Sequence, residues 1–269
     1  CVLIQITTHG DEAYAYLPRA REVYDGRFPP NELHYDENRP SVMPVIPPAA
    51  VAMFIWLAGG NSQAGYLSAT FVFSAALFVL FCVLGFVLTR RKVWAMFFGF
   101  IGSLTPLFGA LPYALKSADN FLNLVVKNFY PLINSPLDRM FLSKIDDPLV
   151  TYLIYVPALF FLITFWERPT RGRGIALGLF SGLLFYTYFH YWVYFVIVLG
   201  VVLFVAFARR KEDFSRLRHC AAALGALIMV SVPYWISYFK TRAIDSADFI
   251  ARLGVEKGRA FMSLPVWFD

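Results

Sequence analysis

The run His9-Gly10-Asp11-Glu12-Ala13-Tyr14-Ala15-Tyr16-Leu17-Pro18-Arg19-Ala20-Arg21-Glu22 brings carboxylates, phenols and guanidiniums together just after the apolar segment Cys1–Ile6. A carboxylate at such a boundary can act as a general base, taking a proton from a hydroxyl or amine that attacks a sugar carbon. It can instead hold a divalent ion against a phosphate. A third role is structural: Thr8 and Asp11 have the spacing of a capping box, with Thr8 as N-cap. Arginine suits phosphate because its planar fork gives paired, charge-assisted hydrogen bonds. Were 11–25 helical, Glu12, Tyr16 and Arg19 would fall on one face at steps of four and three. Arg21 also stands four residues before Asp25, the spacing of a weak surface ion pair. Asp11 and Glu12 are thus the candidate catalytic residues, with Tyr14, Tyr16, Arg19 and Arg21 as candidate substrate contacts, and the chemistry they suit is that of a lipid-borne phosphate.

Other polar residues are less pointed. Glu32, His34, Tyr35, Asp36, Glu37 and Arg39 form a second cluster, in which His34 could join a metal site, though a solvated loop explains it as well. Asp146-Asp147 stands directly before Pro148 and an apolar run, where it could bind metal or cap a helix N-terminus. His190 lies among aromatic residues and could touch a head group or simply pack. A divalent ion is therefore a conceivable cofactor, with Asp11, His34, Asp146 and Asp147 as its candidate ligands. No P-loop, dinucleotide fingerprint, HExxH or GxSxG is present, so a soluble nucleotide cofactor is not indicated. Cys1, Cys82 and Cys220 have no redox or metal spacing and read as small buried hydrophobes.

The elements that must position these residues are apolar. The chain is 58% hydrophobic and 18% aromatic, only 16% charged, with a mean hydropathy of +0.57, which is a membrane composition rather than a soluble one. Apolar runs fall at about 64–88, 93–115, 149–166, 174–189, 190–208 and 219–239, against the ~20 residues a spanning helix needs. The stretch 174–208 is long for one crossing and short for two. The cluster Tyr186-Thr187-Tyr188-Phe189-His190-Tyr191-Trp192 in its middle reads as an aromatic belt where two short helices meet. The segment 44–60 is apolar but short, with prolines in its first turn, so it reads as a helix lying at or re-entering the interface. A short amphipathic helix is also expected at Asn120–Tyr130.

The net charge of +6 does not indicate nucleic acid, because the basic residues sit in short loops between apolar runs. With 44–60 interfacial, Arg90-Arg91-Lys92, Arg168 with Arg171 and Arg173, and Arg209-Arg210-Lys211 with Arg216 and Arg218 all fall on one side. Of the 18 carboxylates only Glu167, Glu212 and Asp213 share that side. By the positive-inside rule the segments 9–63, 116–148 and 240–269 then face the exterior. The chain opens on Cys inside an apolar turn and stops without a closing element, so it reads as one fragment, 1–269, of a transmembrane domain. Within it, 1–8 ends a first span, 9–63 is an outer loop with interfacial helices, 64–239 holds about six spans, and 240–269 begins another outer loop.

Taken together, Asp11-Glu12-Ala13-Tyr14, Ala20-Arg21-Glu22, Arg39-Pro40 through Pro47-Pro48, Arg90-Arg91 and the run Gly178 to Thr187 resemble the polyprenyl-phosphate-sugar-dependent glycosyltransferases of the GT-C fold, the group of protein O-mannosyltransferases and aminoarabinose transferases. The resemblance spans most of 8–210. It implies an all-α, polytopic bundle with interfacial helices on the outer face. It also implies a polyprenyl-phosphate-sugar donor, Asp11 as base, Glu12 beside it, and inverting displacement. The family often carries a Lys in the turn after its outer hairpin. Here the turn reads Tyr186-Thr187-Tyr188-Phe189-His190, so His190 would have to serve there. The expected protein is a membrane glycosyltransferase with membrane lipid and a lipid-phosphate sugar as partners, an acceptor that is protein, lipid or glycan, and no nucleic acid. Its expected place is a prokaryotic plasma membrane, its site facing the periplasm or exterior. The alternatives are a transporter or flippase of lipid-linked saccharide and a non-catalytic membrane scaffold.

Overall fold

A computed structural model describes residues 17–30, 45–103, 149–208 and 214–244, and all the regular structure among them is helical. In chain order the elements are α1 (Leu17–Tyr24), α2 (Ile46–Leu57), α3 (Ser62–Thr89), α4 (Lys92–Ser103), α5 (Thr151–Glu167), α6 (Arg171–Leu183), a 3-10 turn at Leu184–Tyr186, α7 (Phe189–Ala208) and α8 (Phe214–Ile244). The all-α class expected from the sequence is what the described residues show.

Three helices among them are long and apolar enough to cross a membrane: Ser62–Thr89, Tyr191–Ala208 and Leu217–Phe239. At 1.5 Å per residue α3 is about 42 Å long, which exceeds a hydrocarbon core of ~30 Å. The other runs give shorter helices among the described residues: α4, α5 and α6 have 12, 17 and 13 residues. The 93–115 run is described only as far as Ser103. Helix α2 has 12 residues, about 18 Å, too short for a crossing, and Pro47 and Pro48 sit in its first turn where no N–H is required. The stretch 174–208 breaks as expected: α6 tightens into the 3-10 turn, Thr187 is extended, and α7 begins at Phe189.

Local chemistry sets the helix boundaries. The Asn61 side chain accepts from the Ala64 N–H at 3.0 Å and starts α3. Arg90, at φ 58°, closes it in the left-handed region, its N–H bonded to the Phe86 carbonyl. Thr170 caps α6. Arg173 then reaches back, its guanidinium donating to the carbonyls of Thr164 at 2.8 Å and Arg168 at 3.1 Å, and so satisfies the last turn of α5.

Contact clustering divides the chain at Ser231–Val232. In the first unit one core gathers Ala20 of α1, Val51 and Ile55 of α2, Tyr66, Ala69, Phe73 and Leu77 of α3, and Leu149 and Val150 ahead of α5. A second core joins α5, α6, α7 and α8 through Phe165, Leu177, Leu184, Phe195, Cys220 and Ala223. In the second unit the rings of Tyr234, Trp235, Tyr238 and Phe239 stack along one turn.

Small residues set how closely the helices approach. A Cβ on Gly178 would lie 2.1 Å from the Ala223 carbonyl oxygen, one on Gly174 would be 2.7 Å from that of His219, and one on Gly182 would be 2.7 Å from the Val230 side chain. The three glycines, at steps of four, let α6 and α8 run in parallel at backbone contact. Tyr186 then donates its hydroxyl to the Val230 carbonyl at 2.8 Å. In the α3–α4 hairpin Gly85, Gly99 and Gly102 accommodate Phe98, Cys82 with Phe78, and Phe81 in the same way.

These contacts order the bundle along its length. Arg90, after α3, pairs with Glu167, the last residue of α5, at 3.0 Å. Gly174 of α6 meets His219 of α8. The basic segments around Arg90–Lys92, Arg168–Arg173 and Arg218 therefore gather at one end of the first unit. Of the third basic group read from the sequence, Arg209-Arg210-Lys211 lie outside the described residues.

Candidate functional site

The opposite end of this unit carries α1, the α2–α3 turn and the aromatic turn between α6 and α7. Asp11, Glu12, Tyr14 and Tyr16 lie outside the described residues, as do His34, Asp146, Asp147 and the Asn120–Tyr130 segment. His190 falls in the first turn of α7, at this end, and its side chain is outside what is described. Of the candidate site residues, Arg19 and Arg21 can be placed in full.

Helix α1 packs on α2 and α3 through Ala20, which is fully buried, with Leu17 and Tyr24 beside it. Arg19 is turned inward and only 2% exposed. A guanidinium this deep is costly to desolvate and is held by hydrogen bonds or charge partners. Arg21, on the exposed side, is engaged three times. Its Nε donates to Asp25 at 3.1 Å, its Nη1 to the Gly60 carbonyl at 2.8 Å, and its carbon lies 4.6 Å above the Tyr24 ring. The Arg21–Asp25 pairing read from the spacing is thus present. The bond to Gly60, 39 residues away, has no sequence signal and ties α1 to the mouth of α3.

Gly59 and Gly60 have φ of 64° and 89°, a conformation glycine adopts without strain. They end α2, with the Gly60 N–H on the Ile55 carbonyl at 2.9 Å. A Cβ on Gly60 would lie 2.8 Å from the Tyr24 hydroxyl. Glycine here both turns the chain and admits the tyrosine.

The N-terminal turns of α5 and α7 carry an aromatic wall that the sequence reading only partly anticipated. The rings of Tyr152, Tyr155 and Tyr191 lie 5.5–6.2 Å apart. Tyr155 also meets Phe195 at 5.8 Å, and Trp192 stacks on Phe185 at 4.6 Å. Tyr191 and Trp192 belong to the expected belt. Tyr152 and Tyr155, one turn apart on α5, were legible only as members of an apolar run. Such rings suit the boundary between hydrocarbon and water, where an apolar body and a polar tip are both accommodated. Among the described residues no group of three His, Cys, Asp or Glu is placed to hold a metal ion, and every ligand candidate read from the sequence lies outside them.

Compared with protein-family models, with curated proteins and with solved structures, the chain matches none.

Proposed function

We propose that this chain is part of a membrane glycosyltransferase that moves a sugar from a polyprenyl-phosphate donor to an acceptor at the outer membrane face. The observation that carries the reading is one of placement. The helix that follows Asp11-Glu12 is fixed at the end of the bundle opposite the Arg90–Lys92, Arg168–Arg173 and Arg218 segments. Basic loops favour the cytoplasmic side, so the acidic motif leads into an element on the side where a lipid-linked sugar would be used. Asp11 acts as base on the acceptor, and Glu12 shapes the charge of the site. Arg21 meets the donor phosphate, with Tyr14, Tyr16 and His190 as further contacts, while the buried Arg19 anchors α1. Arg21 commits Nε and Nη1 to α1 and the Gly60 turn, and its remaining N–H groups leave it able to accept an anion from outside.

A transporter of lipid-linked saccharide would place ionisable residues within its spans. The three described helices able to cross a membrane contain no carboxylate, and Arg218 and His219 stand at the basic end of Leu217–Phe239 rather than deep within it, which favours the enzyme. The test is transfer or release of sugar by the full-length protein in proteoliposomes supplied with polyprenyl-phosphate sugars, with Asp11→Asn compared to wild type at equal insertion. Turnover should fall at least about 100-fold, the usual range for removing a general base. Equal turnover would move the base elsewhere, to Asp146 or Asp147 first. Absence of turnover with every donor would leave the transporter and scaffold readings ahead.

A further inference from the structure

An open groove of about 470 Å³ runs along the α3–α4 hairpin at the basic end, and its lining is almost wholly apolar. Its two walls are helical stripes: Val79, Val83 and Phe86 from α3, and Met96 from α4. The floor is made by small residues, Cys82 and Ala95, which leave a furrow between the larger side chains on either side. Lys92, the first residue of α4, closes the groove at the basic end. The side chains of Lys92 and of the neighbouring Arg91 are exposed, and neither has an ion-pair partner among the described residues. Arg90, by contrast, is committed to Glu167. Trp94 is half exposed in the first turn of α4, the position an interfacial indole takes at head-group depth.

We propose that this groove holds one acyl chain of an anionic phospholipid whose phosphate is met by Lys92 and Arg91. The inference rests on the membrane setting of the chain and not on the transferase reading, since the groove lies at the end away from α1. Charge complementarity selects the occupant. Lys92 stands at the mouth of a groove whose lining is otherwise apolar, with the exposed Arg91 next to it in the chain, a match for a head-group anion joined to a hydrocarbon tail. Inside a bilayer the tail gains little by leaving one apolar environment for another, so packing in the furrow sets residence and the head group sets selectivity. A neutral lipid would seat its tail equally well and leave the cations unmatched.

The test is native mass spectrometry of the full chain extracted from nanodiscs of equal phosphatidylglycerol and phosphatidylcholine, counting the lipid retained. Wild type should keep phosphatidylglycerol preferentially. Lys92→Gln should reduce that preference about fivefold, as expected for one cation near an anionic head group. Arg168→Gln, an exposed cation at the same end but outside the groove, should leave it unchanged. Met96→Trp, which fills the groove, should lower retention of both lipids, with helicity by circular dichroism unaltered. Equal retention of the two lipids by wild type would overturn the proposal. So would an equal loss in Arg168→Gln, which would mean surface charge in general. A Met96→Trp variant that abolishes self-association while keeping its lipid would assign the groove to a second copy and overturn it as well.

Discussion

The residues whose chemistry stood out in the sequence prove, where they are described, to be held by contacts the sequence did not announce. Arg21 is the clearest case. Its spacing to Asp25 was legible, but an exposed i,i+4 pair contributes only a few tenths of a kcal/mol. The bond to the Gly60 carbonyl is the one that fixes α1 to the bundle, and no local pattern could show a partner 39 residues away. Arg21→Ala should therefore lower thermal stability in detergent by about 1 kcal/mol. Asp25→Ala, which removes the pair alone, should cost less. Gly60 adds a second check. Gly60→Ala forces a Cβ into φ 89° and against the Tyr24 hydroxyl, and should cost about 1–2 kcal/mol. Adding Tyr24→Phe should recover only part of it, because the clash is relieved and the backbone strain stays. Full recovery in the double variant would show that the turn itself is unstrained.

At the scale of elements, hydrophobic run length and proline position were enough to find the helices. The 64–88 run became α3, and Pro47-Pro48 marked the start of α2. The break in 174–208 was legible because the aromatic cluster interrupts an otherwise uniform run. Partner choice was not legible. Helices this uniformly apolar show no clear buried face, so the sequence alone does not say which stripe meets which neighbour. Gly174, Gly178 and Gly182 settle it for α6 and α8, through a spacing that the resemblance took only as a glycine-containing helix before an outer turn. Gly178→Leu should separate these helices, since even a Cβ would overlap the Ala223 carbonyl. An overpacking cost of about 3 kcal/mol or more is expected, measured by unfolding in mixed micelles. Gly225→Ala, on the same helix as Ala223 but with nothing within 4 Å, should be neutral or slightly stabilising. A neutral Gly178→Leu would mean that α6 and α8 are not in backbone contact.

For the whole molecule, charge placement and packing make the same division between ends by separate routes. The sequence assigned the basic loops to one side by alternating its spans, which depends on 44–60 not crossing. The geometry needs no such assumption. The Arg90–Glu167 pair and the Gly174–His219 approach bring the basic segments together at one end, while Arg21 fastens α1 at the other through Gly60. In the orientation we propose, the basic end faces the cytoplasm, and α1, at the opposite end, faces outward. Single cysteines can read this directly in intact cells of a strain expressing the full chain with Cys1, Cys82 and Cys220 replaced. Arg27→Cys, exposed just beyond α1, should react with an impermeant maleimide added from outside. Gly172→Cys, in open space at the start of α6, should react only after the cells are permeabilised. Labelling of both from outside would break the division of the bundle into two faces. The reverse pattern would keep the fold but turn the chain over, placing α1 and the acidic segment before it in the cytoplasm, where a transferase using an outward-presented lipid-linked sugar could not work.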